Sequence, residues 1–141
     1  MRGKMLFCVL SLGLMFLCCA CDFNSVNQYS WYTPGVESIQ IIQLDKYIEE
    51  EDRYEYTILT QIPDHKIFIK QFNKINQTRK SVERVKLDLQ QLSIRVVYKT
   101  GGFHILQPDA QLFNMTGANE FGHYVFDKEQ FDALISDYWT E

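Results

Sequence analysis

The sequence predicts an α+β domain: an antiparallel β-sheet of about five to seven strands with two amphipathic helices, the second at the C-terminus. Three observations carry this reading. Short β-branched and aromatic segments recur along the chain between turn residues. Thr100-Gly101-Gly102 separates two of them at hairpin spacing, because glycine accepts positive φ without a Cβ clash. Residues from Asp127 onward open with a cap and continue with a helical apolar period. The 141 residues leave room for one domain, and 46% hydrophobic with 23% charged residues is an ordinary globular balance.

The elements follow in order. Ser38 to Leu44 (SIQIIQL) is short and β-branched, a strand, and Tyr54 to Thr60 (YEYTILT) pairs with it as a hairpin. Asp45 to Arg53 connects them and holds the acidic run Glu49-Glu50-Glu51-Asp52. Asp64 caps a first helix over Asp64 to Asn76, in which Phe68, Phe72 and Ile75 face the core. Gln77 to Lys80 is polar. Val82, Val85, Leu87 and Leu89 fit strand or helix, and a strand is assigned near Val85–Leu89. Ile94 to Lys99 and Phe103 to Leu106 flank the glycine turn as a hairpin. Gln111 to Met115 and Gly122 to Phe126 are two further strands. In the last helix Asp127 is the N-cap and Gln130 completes a capping box. Phe126 and Phe131 form a hydrophobic staple, and Phe131, Leu134, Ile135 and Tyr138 repeat at i, i+3, i+4, i+7.

The N-terminus, MRGKMLFCVLSLGLMFLCCAC, has the three parts of a secretory signal: cations at Arg2 and Lys4, an apolar run from Met5 to Leu17, and a small-residue exit. The apolar stretch to Cys21, about 17 residues, lies at the short edge of what spans a bilayer. Leu17-Cys18-Cys19-Ala20-Cys21 resembles the cleavage box of bacterial lipoproteins, with Cys18 standing where leucine is usual. Cys19 is a poorer fit, since it would put Phe16, Leu17 and Cys18 before the cut. The resemblance implies cleavage after Ala20 and a diacylglyceryl group on the Cys21 sulfur, so the chain would be held to a membrane by lipid. It also implies an address on the extracytoplasmic side of a bacterial envelope, with Asp22 leaning toward the inner membrane if the cell is Gram-negative. Two or more acyl chains would make the attachment effectively permanent.

The expected organisation is therefore a signal peptide over 1–20, a lipidated cysteine and tether over 21–35, and a single domain over 36–141. Loss of Arg2 and Lys4 leaves 12 cations against 18 acids, a balance of −6, which disfavours nucleic acid as a partner. All four cysteines lie at or before Cys21, so the domain has no disulfide, thiol nucleophile or zinc-thiolate site to use. Within the tether, Tyr29, Trp31 and Tyr32 either pack onto the domain or meet a membrane interface or partner.

The series VESIQIIQL, RVVYKTGGFHIL and GHYVFDKEQFDALISDYW, spanning roughly Val36 to Trp139, resembles a family of small bacterial lipoprotein domains with no assigned activity. That resemblance implies neither a cofactor nor catalytic residues.

The residues themselves point the same way. No serine sits in G-x-S-x-G and no glycine-rich phosphate loop occurs, while paired carboxylates stay open as a sequence possibility. His65, His104 and His123 lack metal-ligand spacing, although His104 and His123 could be neighbours on late strands beside Asp109. The acidic run Glu49–Asp52 lacks the calcium-loop spacing. Lys66, Lys70 and Lys74 stack at i, i+4, i+8 on the helix side away from Phe68 and Phe72, with Arg79, Lys80, Arg84 and Lys86 extending the charge. They form a solvated face or a docking patch for an acidic partner. The expectation is a non-enzymatic binding or accessory domain for a protein partner, an immunity or exclusion role being one version. The alternative is a small-ligand sensor or carrier with a pocket between helices and sheet, and a small hydrolase ranks third.

Overall fold

The computed structural model describes residues 29–31, 35–79, 86–122 and 124–141. Its strands are β1 (Val36–Ile48), β2 (Arg53–Gln61), β3 (Gln77–Arg79), β4 (Ser93–Tyr98), β5 (Phe103–Leu106), β6 (Gln111–Asn114), β7 (Glu120–Phe121) and β8 (Tyr124–Phe126). The helices are α1 (His65–Phe72) and α2 (Lys128–Tyr138). Six strands form one antiparallel sheet in the order β2-β1-β4-β5-β6-β7, and β3 pairs with β8 apart from it. This is the α+β class the sequence predicts, with the second helix at the C-terminus.

Alternation along the strands gives the sheet two apolar faces. Ile39, Ile41, Ile94, Val96, Tyr98 and Leu106 point to one side and pack with Phe68 and Phe72 of α1 and with Phe131, Leu134 and Ile135 of α2. Ile42, Leu44, Tyr54, Ile105 and Leu112 form a second cluster with Leu87 and Ala110. Each large side chain fully buried this way contributes about 1.5–3 kcal/mol. No helix among the described residues is long and apolar enough to cross a membrane.

Four local expectations are corrected. The first strand runs past Leu44 to Ile48, so Asp45–Ile48 is strand and not connection. Cross-strand pairing holds this polar stretch: Lys46 faces Glu55 with an ion pair at 3.3 Å, and Tyr47 faces Tyr54 with ring centroids 4.8 Å apart. Register shifts at Ile41/Ile42 and Leu44/Lys46 bend the strand, and the turn closes through Asp52 in the left-handed region at φ 47°.

The first helix stops at Phe72. Asp64 caps it, accepting the Ile67 N–H at 3.0 Å, but the bonds of Lys74 N–H to Gln71 O and Ile75 N–H to Phe72 O tighten the chain into a turn. Ile75 is buried all the same. The turn delivers Asn76 to the start of α2, where its N–H donates to Gln130 Oε1 at 2.7 Å and its carbonyl accepts the Asp127 N–H at 2.8 Å. The capping box is thus half made. Asp127 accepts the Gln130 N–H at 2.9 Å, while the Gln130 side chain serves Asn76 in place of Asp127. The staple is present, Phe126 and Phe131 stacking at 6.2 Å. Asp127→Ala is expected to cost about 1 kcal/mol in urea unfolding and Asp127→Asn only a few tenths, since asparagine keeps the acceptor.

Lys86–Asp88 joins no ladder, against the expected strand near Val85–Leu89; Val82 and Val85 lie outside the described residues. Side chains replace a strand partner here: Leu87 N–H donates to Tyr54 Oη at 3.0 Å and Asp88 N–H to Gln107 Oε1 at 2.9 Å. The polar stretch at 77–79 is β3 instead.

The expected last strand, Gly122 to Phe126, is divided. β7 ends the large sheet and Tyr124–Phe126 leaves it to pair with β3. The buried Gln111 side chain holds the exit, accepting the Tyr124 N–H at 2.9 Å and donating to the Tyr124 carbonyl at 2.7 Å. The Thr100–Gly102 hairpin turn is as expected, with Gly101 at φ +90°.

Candidate functional site

Of the residues singled out in the sequence, Cys21 lies outside the described residues, as do Tyr32 and His123. Lys66 and Lys70 project from α1 and Lys74 from the turn after it. All three are exposed, and none has an acid of the described residues within ion-pair distance. The side chains of Arg79, Lys80 and Arg84 also lie outside the described residues. Lys86 does not extend the basic face. It reaches Glu49 at 3.5 Å and lies over the Tyr47 ring at 4.8 Å, so it belongs to the acidic β1–β2 tip. That tip is internally paired: Arg53 contacts Glu51, and Asp52 accepts the Tyr47 hydroxyl at 2.5 Å. Among the described residues no group of three His, Cys, Asp or Glu is placed to hold a metal ion.

Two arrangements were not read from the sequence. The first is built on Tyr29, which is not tether. Its ring is buried on the helix side of the sheet, edge-on to Trp31 at 5.0 Å and Phe72 at 5.7 Å. Its hydroxyl meets His104 Nδ1 at 2.5 Å and Tyr98 Oη at 3.1 Å, and Tyr98 Oη is 3.0 Å from the same nitrogen. Burial holds the His104 pKa down at about 4, so the ring is neutral near pH 7. Burial, and then the neighbouring Tyr98, raises the Tyr29 pKa, so its hydroxyl keeps its proton. Trp31 adds a bond from Nε1 to Asn73 Oδ1 at 2.8 Å. Packing of these aromatics onto the domain is therefore the outcome for Tyr29 and Trp31.

The second arrangement lies on the opposite face of the sheet. The space between helices and sheet, where a ligand pocket was expected, is filled by Phe68, Phe72, Phe126, Phe131 and their neighbours. A pocket of about 520 Å³ opens instead on the face that carries no helix among the described residues. Tyr56, Arg95, Phe103, Ile105 and Leu112 line it, with the β1–β2 tip at one end and residues 117–119 at the other. The two ends touch, since the Asn119 side-chain amide donates to the Asp52 carbonyl. Arg95 projects from β4 with its guanidinium carbon 4.9 Å from the Tyr56 ring centre and 5.1 Å from that of Phe103. Its Nη1 donates to Gln40 Oε1 at 3.1 Å, and its Nε is buried with no partner.

Fold and site together define an α+β domain with a buried Tyr–Tyr–His cluster on one sheet face and an arginine-bearing pocket on the other. No protein-family model, curated protein or solved structure matches the chain.

Proposed function

We propose that the protein is a lipid-anchored envelope domain without catalytic activity that binds an acidic protein partner close to a membrane. The observation that carries this reading is the group Lys66, Lys70 and Lys74, exposed and without an acidic partner among the described residues, two of them on a helix whose other side is core and the third in the turn that follows it. Three such cations raise the association rate with an acidic surface, and salt weakens them. Tyr29 adds a geometric argument. Tyr29 lies eight residue steps from Cys21, so at roughly 3.3 Å per step the fold would begin within about 26 Å of a lipid on that sulfur. Confinement at that distance turns modest contacts into high occupancy.

The test has two parts. Cys21→Ala should release the protein from the membrane fraction and abolish palmitate labelling. Lys66→Glu/Lys70→Glu/Lys74→Glu should lose the cross-linked partner that the wild type captures. Membrane retention of Cys21→Ala without labelling of the wild type rejects the anchor, and identical cross-linking by wild type and triple variant rejects the lysine face.

A second reading, a small-ligand sensor or carrier, is favoured by the 520 Å³ pocket on the sheet face opposite α1 and α2, a volume within the range of small-molecule sites.

A further inference from the structure

The geometry points to an organic-carboxylate site centred on Arg95 in the pocket on the sheet face opposite α1 and α2. This rests on the second reading above and gives it a ligand class.

The argument starts from an unbalanced charge. Arginine stays protonated at every physiological pH, so its side chain needs solvent or an anion. Arg95 is half-buried on a central strand, and no carboxylate of the described residues lies within 4 Å of it. The acids nearest the pocket mouth are engaged elsewhere, Glu51 by Arg53 and Asp52 by Tyr47. Gln40 holds Nη1 and so fixes the plane of the guanidinium. Tyr56 and Phe103 flank it, which favours a planar cation and removes water from beside it. Nε is buried and unpartnered, a cost to the fold that the surroundings do not relieve. Nη2 has no partner either, yet is not among the buried atoms, and so remains reachable from the pocket.

A guanidinium held in a fixed plane, with a free Nη and aromatic neighbours, matches a carboxylate by charge-assisted hydrogen bonds. Ile105 and Leu112 line the same cavity, so the rest of the ligand is apolar. The ligand class is therefore a carboxylate on an apolar or aromatic body. It could be a free acid or the C-terminal carboxylate of a chain.

The test uses the full-length protein and three probes: N-acetylphenylalanine, its primary amide, and the tripeptide Ala-Ala-Phe. Wild type is expected to bind one of the two acids by calorimetry, and the amide about tenfold or more weakly. The Nε–H resonance of Arg95 should shift on addition of the acid. Arg95→Met should lose the acid by a similar factor while its thermal midpoint holds or rises, because an unpartnered buried donor is removed. Arg95→Lys, which keeps the charge and loses the plane, should fall between. Preference for N-acetylphenylalanine supports a free acid, and preference for Ala-Ala-Phe a chain terminus. Equal binding of acid and amide, or binding untouched in Arg95→Lys, overturns the carboxylate site and leaves a pocket for neutral ligands. Binding of none of the three overturns the site and the small-ligand reading together.

Discussion

Tyr29→Ala is expected to destabilise the domain by about 3–5 kcal/mol, the cost of removing a large buried aromatic side chain. Tyr29 is only 5% exposed and touches rings from five parts of the chain: Trp31, Phe72 at the end of the first helix, His104 on β5, Phe113 on β6, and Tyr124 and Phe126 on β8. Its backbone N–H also donates to Gln77 Oε1 at 2.7 Å, tying the segment to β3. Alanine would leave a cavity and remove the hydroxyl that bonds His104 and Tyr98. Tyr29→Phe separates the terms. It keeps the packing and removes one hydroxyl, and Tyr98 can still donate to His104 Nδ1 across 3.0 Å, so a loss of about 1–2 kcal/mol is expected. Urea unfolding of the full chain measures both. An alanine variant within about 1 kcal/mol of wild type would mean that residues 29–31 are not part of the fold, and the 26 Å limit on the reach from Cys21 would go with it.

What the sequence shows of this fold depends on where each signal resides. The β4–β5 hairpin and α2 were legible because their evidence is local: alternation beside a Gly-Gly turn, and a cap, staple and period within thirteen residues. The end of β1 was not, because Asp45, Lys46 and Tyr47 have ordinary loop chemistry and become strand only through Glu55 and Tyr54 opposite. β8 reads as strand, but its departure from the large sheet does not, since that depends on the Gln111 side chain, a contact thirteen residues away.

The candidate site divides in the same way. The Lys66–Lys70 pair is a spacing on α1 and could be read directly, whereas Lys74 falls in the turn after the helix. Tyr29 sits in a polar stretch before a Pro-Gly turn, and nothing nearby in sequence announces His104, seventy-five residues on. Arg95 was passed over because one cation in an otherwise apolar strand, I-R-V-V-Y, reads as a solvent-facing position. A signal was present: Tyr54, Tyr56 and Phe103 fall on the same alternation phase as Arg95, and aromatics on the nominally wet side of a sheet mark a face that is not simply wet.

Acidification should loosen the same Tyr29 junction through His104. The folded-state pKa is about 4, lowered by burial from 6.5, so between these values the unfolded chain binds more protons than the native one. The contribution of His104 to stability is therefore whole above pH 6.5, declines as pH falls through that value, and is gone below about 4. A difference of this size is worth up to about 3 kcal/mol. The structural reason is burial: the ring stands among Tyr98 at 4.7 Å and Phe113 at 4.5 Å, where a cation is poorly solvated. His104→Gln keeps an acceptor and removes the titration. Urea unfolding of wild type and variant at pH 7, 6, 5 and 4 should give curves that diverge below pH 6.5, the wild type falling more steeply. Parallel curves would remove His104 as the acid-sensitive group. In a Trp139→Phe background, Trp31 is left as the fluorescent reporter beside Tyr29, and its emission should shift red ahead of global unfolding as the pH is lowered. This order is required if the Tyr29–His104 bond, and not the core between helices and sheet, is the first contact that acid breaks.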